Sequence, residues 1–324
     1  MASTGLSLVE IEQMSARDAF GEALAQAGEQ DDRIVLIGAD AIGSTRAAAF
    51  LKKFPERTFN FGIAEQEMVS VAAGFALRGK IPVATAYGFL ISLRACEQVR
   101  TDVCYPNLNV KLMATHTGLS MAPAGTTHHS TEDIAIMRSF ANITIVAPSD
   151  ALETVKAVQA VIAHQGPVYL RMGRGSLSSV YSQDYEFVLG KSIEMVSGND
   201  VTIIAYGIMV KEAVEAAEAL AKQGITARVI NMHTIKPLDI EAVRKAAVET
   251  GAIVTAEEHT IIGGLGEAVA SAVCESAPVP VIRVGLRDTF SAFGGEDDVR
   301  KHMNLTAQEI IRAVGKALAM KRGA

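Results

Sequence analysis

The chain has 324 residues, of which 49% are hydrophobic and 20% charged, so it is long enough for two domains with large buried cores. Its net charge of −6, without a basic run at either end, excludes nucleic acid and anionic membranes as expected partners. Residues 1–12 lack an apolar core of signal-peptide length, and no run of about 18 apolar residues occurs. Three cysteines without metal-ligand spacing suit a reducing compartment, so we predict a soluble cytoplasmic protein.

The first half of the chain alternates helical patterns with apolar strand patterns. Ser15 is the predicted N-cap of a helix at 14–29, and the apolar run at 33–40 is typical of a buried parallel strand. The elements that follow are a strand edge and helix at 59–78, a strand at 82–87, a helix at 93–104, a strand at 110–116, a helix at 131–139, a strand at 142–149, a helix at 150–164 and a strand at 167–172. Such alternation predicts a parallel sheet with helices on both faces.

The periodicity breaks at 173–192, a stretch rich in Gly, Ser and Tyr, which predicts a linker between domains at 1–182 and 193–324. The same alternation then resumes, with strands at 201–207, 227–232, 252–258 and 279–286 and helices at 210–223, 239–249, 264–275 and 306–320. The fold class is therefore predicted to be α/β, in two domains.

Glu65 lies in the stretch FNFGIAEQEM at 59–68, where a strand edge is followed by a helical pattern. The side chain is thus predicted in the first turn of a helix, at the edge where open α/β sheets bind ligands. A helix dipole favours any acid in its first turn, so position alone leaves both a solvated side chain and a functional carboxylate open.

Three histidines, His116, His128 and His129, lie in the loop at 113–133. No Cys or carboxylate stands at paired ligand spacing with them, which argues against zinc, and no metal site is predicted on this chain. Three histidines within fourteen residues of a strand-end loop nevertheless indicate a functional site.

These stretches resemble the pyrimidine-binding domain of thiamine-diphosphate enzymes, most closely the transketolase and deoxyxylulose-phosphate synthase group. The run EEHTIIGGLGEAVA at 257–270 is similar to the hallmark of the transketolase C-terminal domain. The resemblance covers nearly the whole chain and implies these two α/β domains, the second serving mainly dimerisation. It makes Glu65, in the G-x-x-E pattern, the residue that contacts the cofactor's pyrimidine nitrogen, and His128 a proton donor or acceptor; it gives His129 no secure role.

The resemblance also implies the remaining site residues. Tyr87, Phe89 and Leu90 would surround the pyrimidine ring, although core packing is the ordinary use of such side chains. Four polar residues fall on phosphate-anchoring positions of the substrate site: Arg17, Ser44, His116 and Arg174. Arg171 is a second candidate for the phosphate, and Asp40 matches an acid near the dimer interface.

Two departures from the family pattern are visible. The family's G-E-D-G loop, whose Asp recognises a sugar hydroxyl, reads Ala122-Pro123-Ala124-Gly125 here, which leaves Ala124 in place of the carboxylate. The G-D-G…N motif that holds magnesium and the diphosphate is absent. The resemblance therefore implies the small subunit of a split transketolase, acting in an α2β2 complex with a separate N-terminal subunit. Thiamine diphosphate would be shared between the subunits, with Mg²⁺ on the partner.

The predicted reaction is two-carbon ketol transfer between sugar phosphates. A deoxyxylulose-phosphate-synthase-like enzyme remains an alternative. The beta subunit of a 2-oxo-acid dehydrogenase is another, although a 2-oxo acid needs no distal phosphate site. A regulatory protein that kept the fold is the non-enzyme alternative, and the presence of Glu65 argues against it.

Overall fold

The computed structural model describes residue 11, residues 13–175, residue 181 and residues 185–323, so part of the predicted linker at 173–192 lies outside the described residues. The described part of the chain holds two sheets, each covered by helices, and both are mainly parallel. The predicted class of two α/β domains is confirmed. None of the helices in the described ranges is both long and apolar enough to cross a bilayer.

The first sheet is built from strands of the first half of the chain. They are β1 (Ile34–Gly38), β2 (Thr58–Asn60), β3 (Ile81–Tyr87), β4 (Lys111–Thr115), β5 (Thr144–Val146) and β6 (Val168–Arg171). All six run parallel. Their carboxyl ends therefore share one edge, which is where sheets of this kind bind ligands.

Helices cover both faces of this sheet, because its strands are apolar on both sides. The helices are α1 (Ala16–Gln30), α2 (Ala48–Lys53), α3 (Glu65–Leu77), α4 (Cys96–Gln98), α5 (Asp133–Ser139) and α6 (Ala151–Ala163). Ser15 caps α1 as predicted, its hydroxyl accepting a hydrogen bond from the Asp18 N–H at 3.2 Å. Along β1, Ile34 belongs to the core shared with α1 and α6, and Val35 to the core shared with α3.

The helix predicted at 93–104 has a different form. It begins earlier, with a π-helical turn at Leu90–Arg94, and ends in a second π-helical stretch at Val99–Cys104, with only α4 between them. Wide turns of this kind are uncommon and concentrate at functional sites. The irregularity brings Arg94 beside Glu65, as described below.

The second sheet contains β7 (Ile193–Val196), β8 (Val201–Ala205), β9 (Ala227–Asn231), β11 (Ile253–Thr260) and β12 (Val281–Leu286), in the order β12-β11-β8-β9-β7. Its helices are α7 (Met209–Ala221), α8 (Ile240–Thr250), α9 (Leu265–Ser276), α10 (Glu296–His302) and α11 (Ala307–Gly323). Strand β7 was not predicted, and it pairs with β9 in the antiparallel direction.

One strand of the second half joins the first sheet. Strand β10 (Thr234–Lys236) pairs antiparallel with β5 and makes the order of the first sheet β10-β5-β6-β4-β3-β1-β2. The side chain of Lys236, the last residue of β10, donates to the Arg138 carbonyl at 3.0 Å. Ile235 and Met232 are buried in the same apolar cluster as Ile145, so one core runs through both domains. The parallel sheet of the prediction thus has an antiparallel edge strand supplied by the other domain.

A buried carboxylate lies at the junction of the domains. Glu153, near the start of α6, accepts hydrogen bonds from the Ser149 N–H at 2.6 Å, the Tyr181 hydroxyl at 2.9 Å and the Asn231 amide at 3.0 Å. Asn231 belongs to the second domain, so the carboxylate ties the two halves together. Burial raises the pKa of Glu153 to about 7.

The contribution of Glu153 to stability should therefore fall as the pH rises from about 4.5 through about 7. A carboxyl whose pKa is higher in the folded than in the unfolded state stabilises the fold while protonated and loses that contribution on ionising. The free energy of unfolding of the wild type should therefore fall relative to that of Glu153→Gln across this range. The other buried groups, such as Glu257 with a pKa raised to about 7 and His116 with a pKa lowered to about 3, act alike in both proteins and cancel in the comparison. Urea midpoints measured from pH 5 to 8 check this, and an unchanged slope in Glu153→Gln would contradict it.

Candidate active site

The candidate site lies at the carboxyl edge of the first sheet. Glu65 is the first residue of α3, which follows β2, and its side chain is only 2% exposed. Arg94 donates to Glu65 Oε2 at 3.0 Å and is itself 50% exposed. The carboxyl group therefore lies between the N-terminus of α3 and one guanidinium. No described residue donates a hydrogen bond to Oε1, so that oxygen remains available to a ligand.

A second group of predicted residues meets around Arg17, which lies in the first turn of α1. Its guanidinium donates from Nε to the Arg174 carbonyl at 3.2 Å and from one terminal nitrogen to the Ser44 carbonyl at 2.7 Å. The same terminal nitrogen lies 3.0 Å from His116 Nε2. The four predicted phosphate residues thus form one cluster, although they come from sequence positions more than 150 residues apart.

Arg17 is buried without a carboxylate partner among the described residues; the neighbouring Asp18 pairs with Arg46 at 3.1 Å. Burial, Arg46 and Arg174 together lower the pKa of Arg17. A guanidinium nevertheless keeps its proton in proteins. A buried positive charge bonded only to neutral groups is a good receptor for an anion.

His116 is neutral, with a defined tautomer. Arg17 can only donate, so His116 Nε2 accepts and the ring proton is on Nδ1, 2.9 Å from the Thr115 hydroxyl. Burial, followed by the charges of Arg17 and Arg174, lowers the pKa of His116 to about 3. The side chain therefore acts by orienting its neighbours rather than by donating a proton from Nε2.

Tyr87 belongs to this cluster as well. Its hydroxyl donates to Ser44 Oγ at 3.1 Å, and Ser44 Oγ in turn donates to the Ala41 carbonyl at 3.0 Å. The ring centroids of Tyr87 and His116 are 4.2 Å apart. Tyr87, which is predicted to pack on the cofactor's pyrimidine ring, thus also contacts the cluster around Arg17.

The other predicted residues lie directly after β3 and in the loop that carries His128. Phe89 follows β3, half-buried, with its ring centroid 5.4 Å from that of His128 and 6.2 Å from that of Tyr87. Leu90 packs partly against the core at the start of the first π-helical turn. His128 is half-buried, with Nδ1 2.9 Å from the Thr127 hydroxyl. Phe89 thus has the rings of Tyr87 and His128 as neighbours.

Two further candidates have other uses in the structure. Arg171 is buried; its Nε pairs with Asp133 at 2.9 Å, and a terminal nitrogen donates to the Glu258 carbonyl at 3.0 Å. These contacts give it a structural role at the domain junction, and its suggested contact with phosphate stays a prediction. Asp40 has a positive φ of 57°, and its N–H donates to Asn60 Oδ1 at 2.8 Å, which braces the loops after β1 and β2.

The structure adds residues to which sequence reasoning assigned no role. Arg94, the ion-pair partner of Glu65, and Thr115, whose hydroxyl lies 2.9 Å from His116 Nδ1, carry no local sequence signal for these contacts. Within the described ranges, no three His, Cys, Asp or Glu side chains converge as metal ligands would.

Comparisons with known proteins decide the family. Residues 12–179 match the family model of the transketolase pyrimidine binding domain, and residues 190–310 match that of the transketolase C-terminal domain. The chain belongs to the transketolase family. The pyrimidine-binding domain implies thiamine diphosphate as the cofactor of this family member.

Relatives in this family match the chain over almost its full length. It is 42% identical over 313 residues to the 6-deoxy-6-sulfo-D-fructose transketolase subunit SqwH of Clostridium sp. (strain MSTE9), covering 97% of each chain. It is 40% identical to an apulose-4-phosphate transketolase subunit of Phocaeicola vulgatus, covering 92% of this chain and 96% of that one. A solved split gene transketolase, an inactive beta4 tetramer, superimposes with a TM-score of 0.89 at 43% identity, covering 95% of this chain and all of that one.

Proposed function

We propose that this chain is the pyrimidine-binding subunit of a two-chain transketolase that moves a two-carbon ketol unit between sugar phosphates. The observation that carries the proposal is the buried Glu65 carboxylate on the same sheet edge as the uncompensated Arg17 guanidinium. The first group suits a cofactor ring nitrogen, and the second suits a distal phosphate. Ketol transfer between sugar phosphates needs both.

The described residues fit thiamine diphosphate. None of the described residues donates a hydrogen bond to Glu65 Oε1, and Phe89 and Leu90 offer half-buried apolar side chains directly after β3. These three residues would hold the pyrimidine ring, with Tyr87 behind Phe89. When bound, the cofactor supplies a nucleophilic carbon and an electron sink. The chain's own contribution is to hold a proton at Glu65, orient the ring and exclude water.

His128 is the proposed proton donor or acceptor for the substrate oxygen. It is half-buried at the side of Phe89, and its Nδ1 lies beside the Thr127 hydroxyl, so Nε2 is free to face a ligand. Its position on a loop contrasts with the fixed, neutral His116. The two histidines therefore have separate roles, His128 in proton transfer and His116 in orienting Arg17.

The phosphate proposal is tested by Arg174→Ala. Arg17 is held by the backbone carbonyl of Arg174, so the substitution removes the charged side chain and keeps that anchor. We expect kcat/KM for phosphorylated sugars to fall by roughly tenfold or more, and that for unphosphorylated analogues to change little. Arg78→Ala, at the opposite end of α3, is the control. An equal loss for both substrate classes would assign Arg174 a structural role instead.

A partner subunit is proposed to cover the face around Glu65. Ile63, two residues before Glu65, is 78% exposed, and Leu93, one residue before its partner Arg94, is 53% exposed. Exposed apolar side chains around a functional carboxylate are typical of an interface. The partner would carry the diphosphate and Mg²⁺ sites and form an α2β2 complex, with the two copies of this chain associating through both domains.

The split site predicts weak cofactor binding by the isolated chain. Titration calorimetry with thiamine diphosphate should show a Kd weaker than about 1 mM, with or without Mg²⁺, because the sequence contains no G-D-G…N motif. Adding the diphosphate-binding subunit should produce tight, magnesium-dependent binding together with ketol transfer. Tight, magnesium-dependent binding by this chain alone would overturn the split-site proposal.

The alternative activities differ in whether their substrate carries a distal phosphate that Arg17 could bind. The beta subunit of a 2-oxo-acid dehydrogenase acts on a substrate without a distal phosphate, which leaves the Arg17 cluster without a purpose. A deoxyxylulose-phosphate-synthase-like reaction also uses a phosphorylated aldehyde. It is distinguished by releasing carbon dioxide from a 2-oxo-acid donor, which the proposed enzyme does not do.

A further inference from the structure

A segment of the second domain reaches the loop that carries Ala124 and His128. The Thr126 hydroxyl donates to the Ser291 carbonyl at 2.5 Å, and the Gly294 N–H donates to the Ala122 carbonyl at 3.1 Å. Between these contacts, Phe293 lies so close that its Cβ would be 3.4 Å from a Cβ placed on Gly125. The segment 291–294 therefore touches the loop along the whole of its tip.

The tip has little internal support of its own. It consists of two single 3₁₀ turns, Ala122–Ala124 and Thr126–His128, joined at Gly125, whose φ of 77° suits glycine alone. Isolated 3₁₀ turns have poor hydrogen-bond geometry and are individually weak. The contacts from the second domain are thus needed to fix the positions of Ala124 and His128.

The segment is itself anchored by an ion-pair group. Arg300 of α10 donates to Glu258 Oε1 at 3.0 Å and also pairs with Glu296, the first residue of that helix. Glu258 packs on the base of the same loop, where a Cβ on Gly118 would lie 1.9 Å from Glu258 Oε2. The second domain therefore holds both the base and the tip of the loop at 118–130.

We infer that segment 291–294 of the second domain determines acceptor selectivity, by positioning the turn that carries Ala124 and His128 and by adding the Phe293 ring to its rim. This rests on the proposed function. Phe293 is 79% exposed, and beside it Ala124 offers no carboxylate for a sugar hydroxyl. Because alanine and phenylalanine side chains carry no polar group, an acceptor that lacks a hydroxyl leaves no hydrogen-bonding group of the protein unpaired at this rim. The acceptor class is therefore an aldehyde phosphate that is deoxygenated, oxidised or branched next to the carbonyl.

Hydrogen exchange tests the positioning step without any cofactor or partner. Thr126→Val removes the donor to Ser291 and keeps the side-chain shape. Exchange at the amides of Gly125, His128 and His129, which are hydrogen-bonded within the tip, should become roughly three- to tenfold faster, as expected for one lost hydrogen bond. Thr289→Val, just outside the segment, is the matched control and should change nothing. Equal exchange in both variants would overturn the positioning role.

Kinetics of the two-chain enzyme test the selectivity step. Phe293→Ala should lower the ratio of kcat/KM for 2-deoxyribose 5-phosphate to that for ribose 5-phosphate by roughly threefold or more. Phe290→Ala, equally exposed just outside the segment, should leave the ratio unchanged. Cleavage of the donor ketose without acceptor should stay at the wild-type rate in Phe290→Ala. An unchanged ratio in Phe293→Ala would overturn the inference. Absence of ketol transfer by the wild-type pair would instead overturn the proposed function. In that case the hydrogen-exchange result would still decide whether segment 291–294 positions the loop.

Discussion

Glu65→Gln should leave the chain folded and nearly abolish turnover, with a loss of roughly 10²–10⁴-fold in kcat. A carboxylate can share a proton with a weakly basic ring nitrogen, whereas the amide has no titratable proton to share. The fold should survive because Arg94 is the one described side-chain partner of Glu65, and it is half exposed and can turn to solvent. The measurement is the steady-state rate of the reconstituted complex at saturating cofactor.

Glu67→Gln is the matched control, since Glu67 lies in the same first turn of α3 but is exposed. It shares the favourable interaction with the helix dipole and should keep the wild-type rate. A wild-type rate in Glu65→Gln, or an equal loss in both variants, would show that Glu65 acts only as a helix-terminal charge. Partner association, measured by sedimentation, should be the same in both variants, so that a loss of rate reports on chemistry.

Features set by neighbours in the sequence could be predicted. The Ser15 cap depends on an oxygen three residues before the donor, and the buried strands depend on runs of four to eight apolar residues. Glu65 was located for the same reason, because a strand edge and a helical pattern meet at Ala64. Its place in the family pattern then suggested chemistry that position alone left open.

Contacts between distant parts of the chain could not be predicted in this way. Strand β10 is three residues long and pairs with a sheet whose other strands end more than 60 residues earlier. The tautomer of His116 depends on Arg17, 99 positions away. Arg171 was a second phosphate candidate because it lies near Arg174 in the sequence, but in the structure it contacts Asp133 and a carbonyl of the second domain. Each depends on packing that no short pattern encodes.

The largest effect on stability is expected at this last group. Asp133 accepts hydrogen bonds from Arg171 Nε at 2.9 Å and the Tyr169 hydroxyl at 2.8 Å, with both oxygens buried. Asp133→Asn should lower the free energy of unfolding by about 3–5 kcal/mol, because it leaves the buried Arg171 charge uncompensated. The neighbouring His259, 4.0 Å from Asp133, cannot replace the carboxylate, because an imidazole carries no negative charge in either protonation state. Urea denaturation at pH 7 measures the difference.

Two variants separate the charge from the packing. Glu241→Gln breaks the exposed pair with Arg244 and should leave the urea midpoint unchanged. Adding Arg171→Met to Asp133→Asn removes the orphaned charge and should recover much of the loss, because a buried pair replaced by apolar groups is often near neutral in stability. If the double variant is no more stable than Asp133→Asn, the loss comes from the Tyr169 bond and the carbonyl contacts to Ser130 and Glu258, and Arg171 joins the domains as a hydrogen-bond donor more than as a charge.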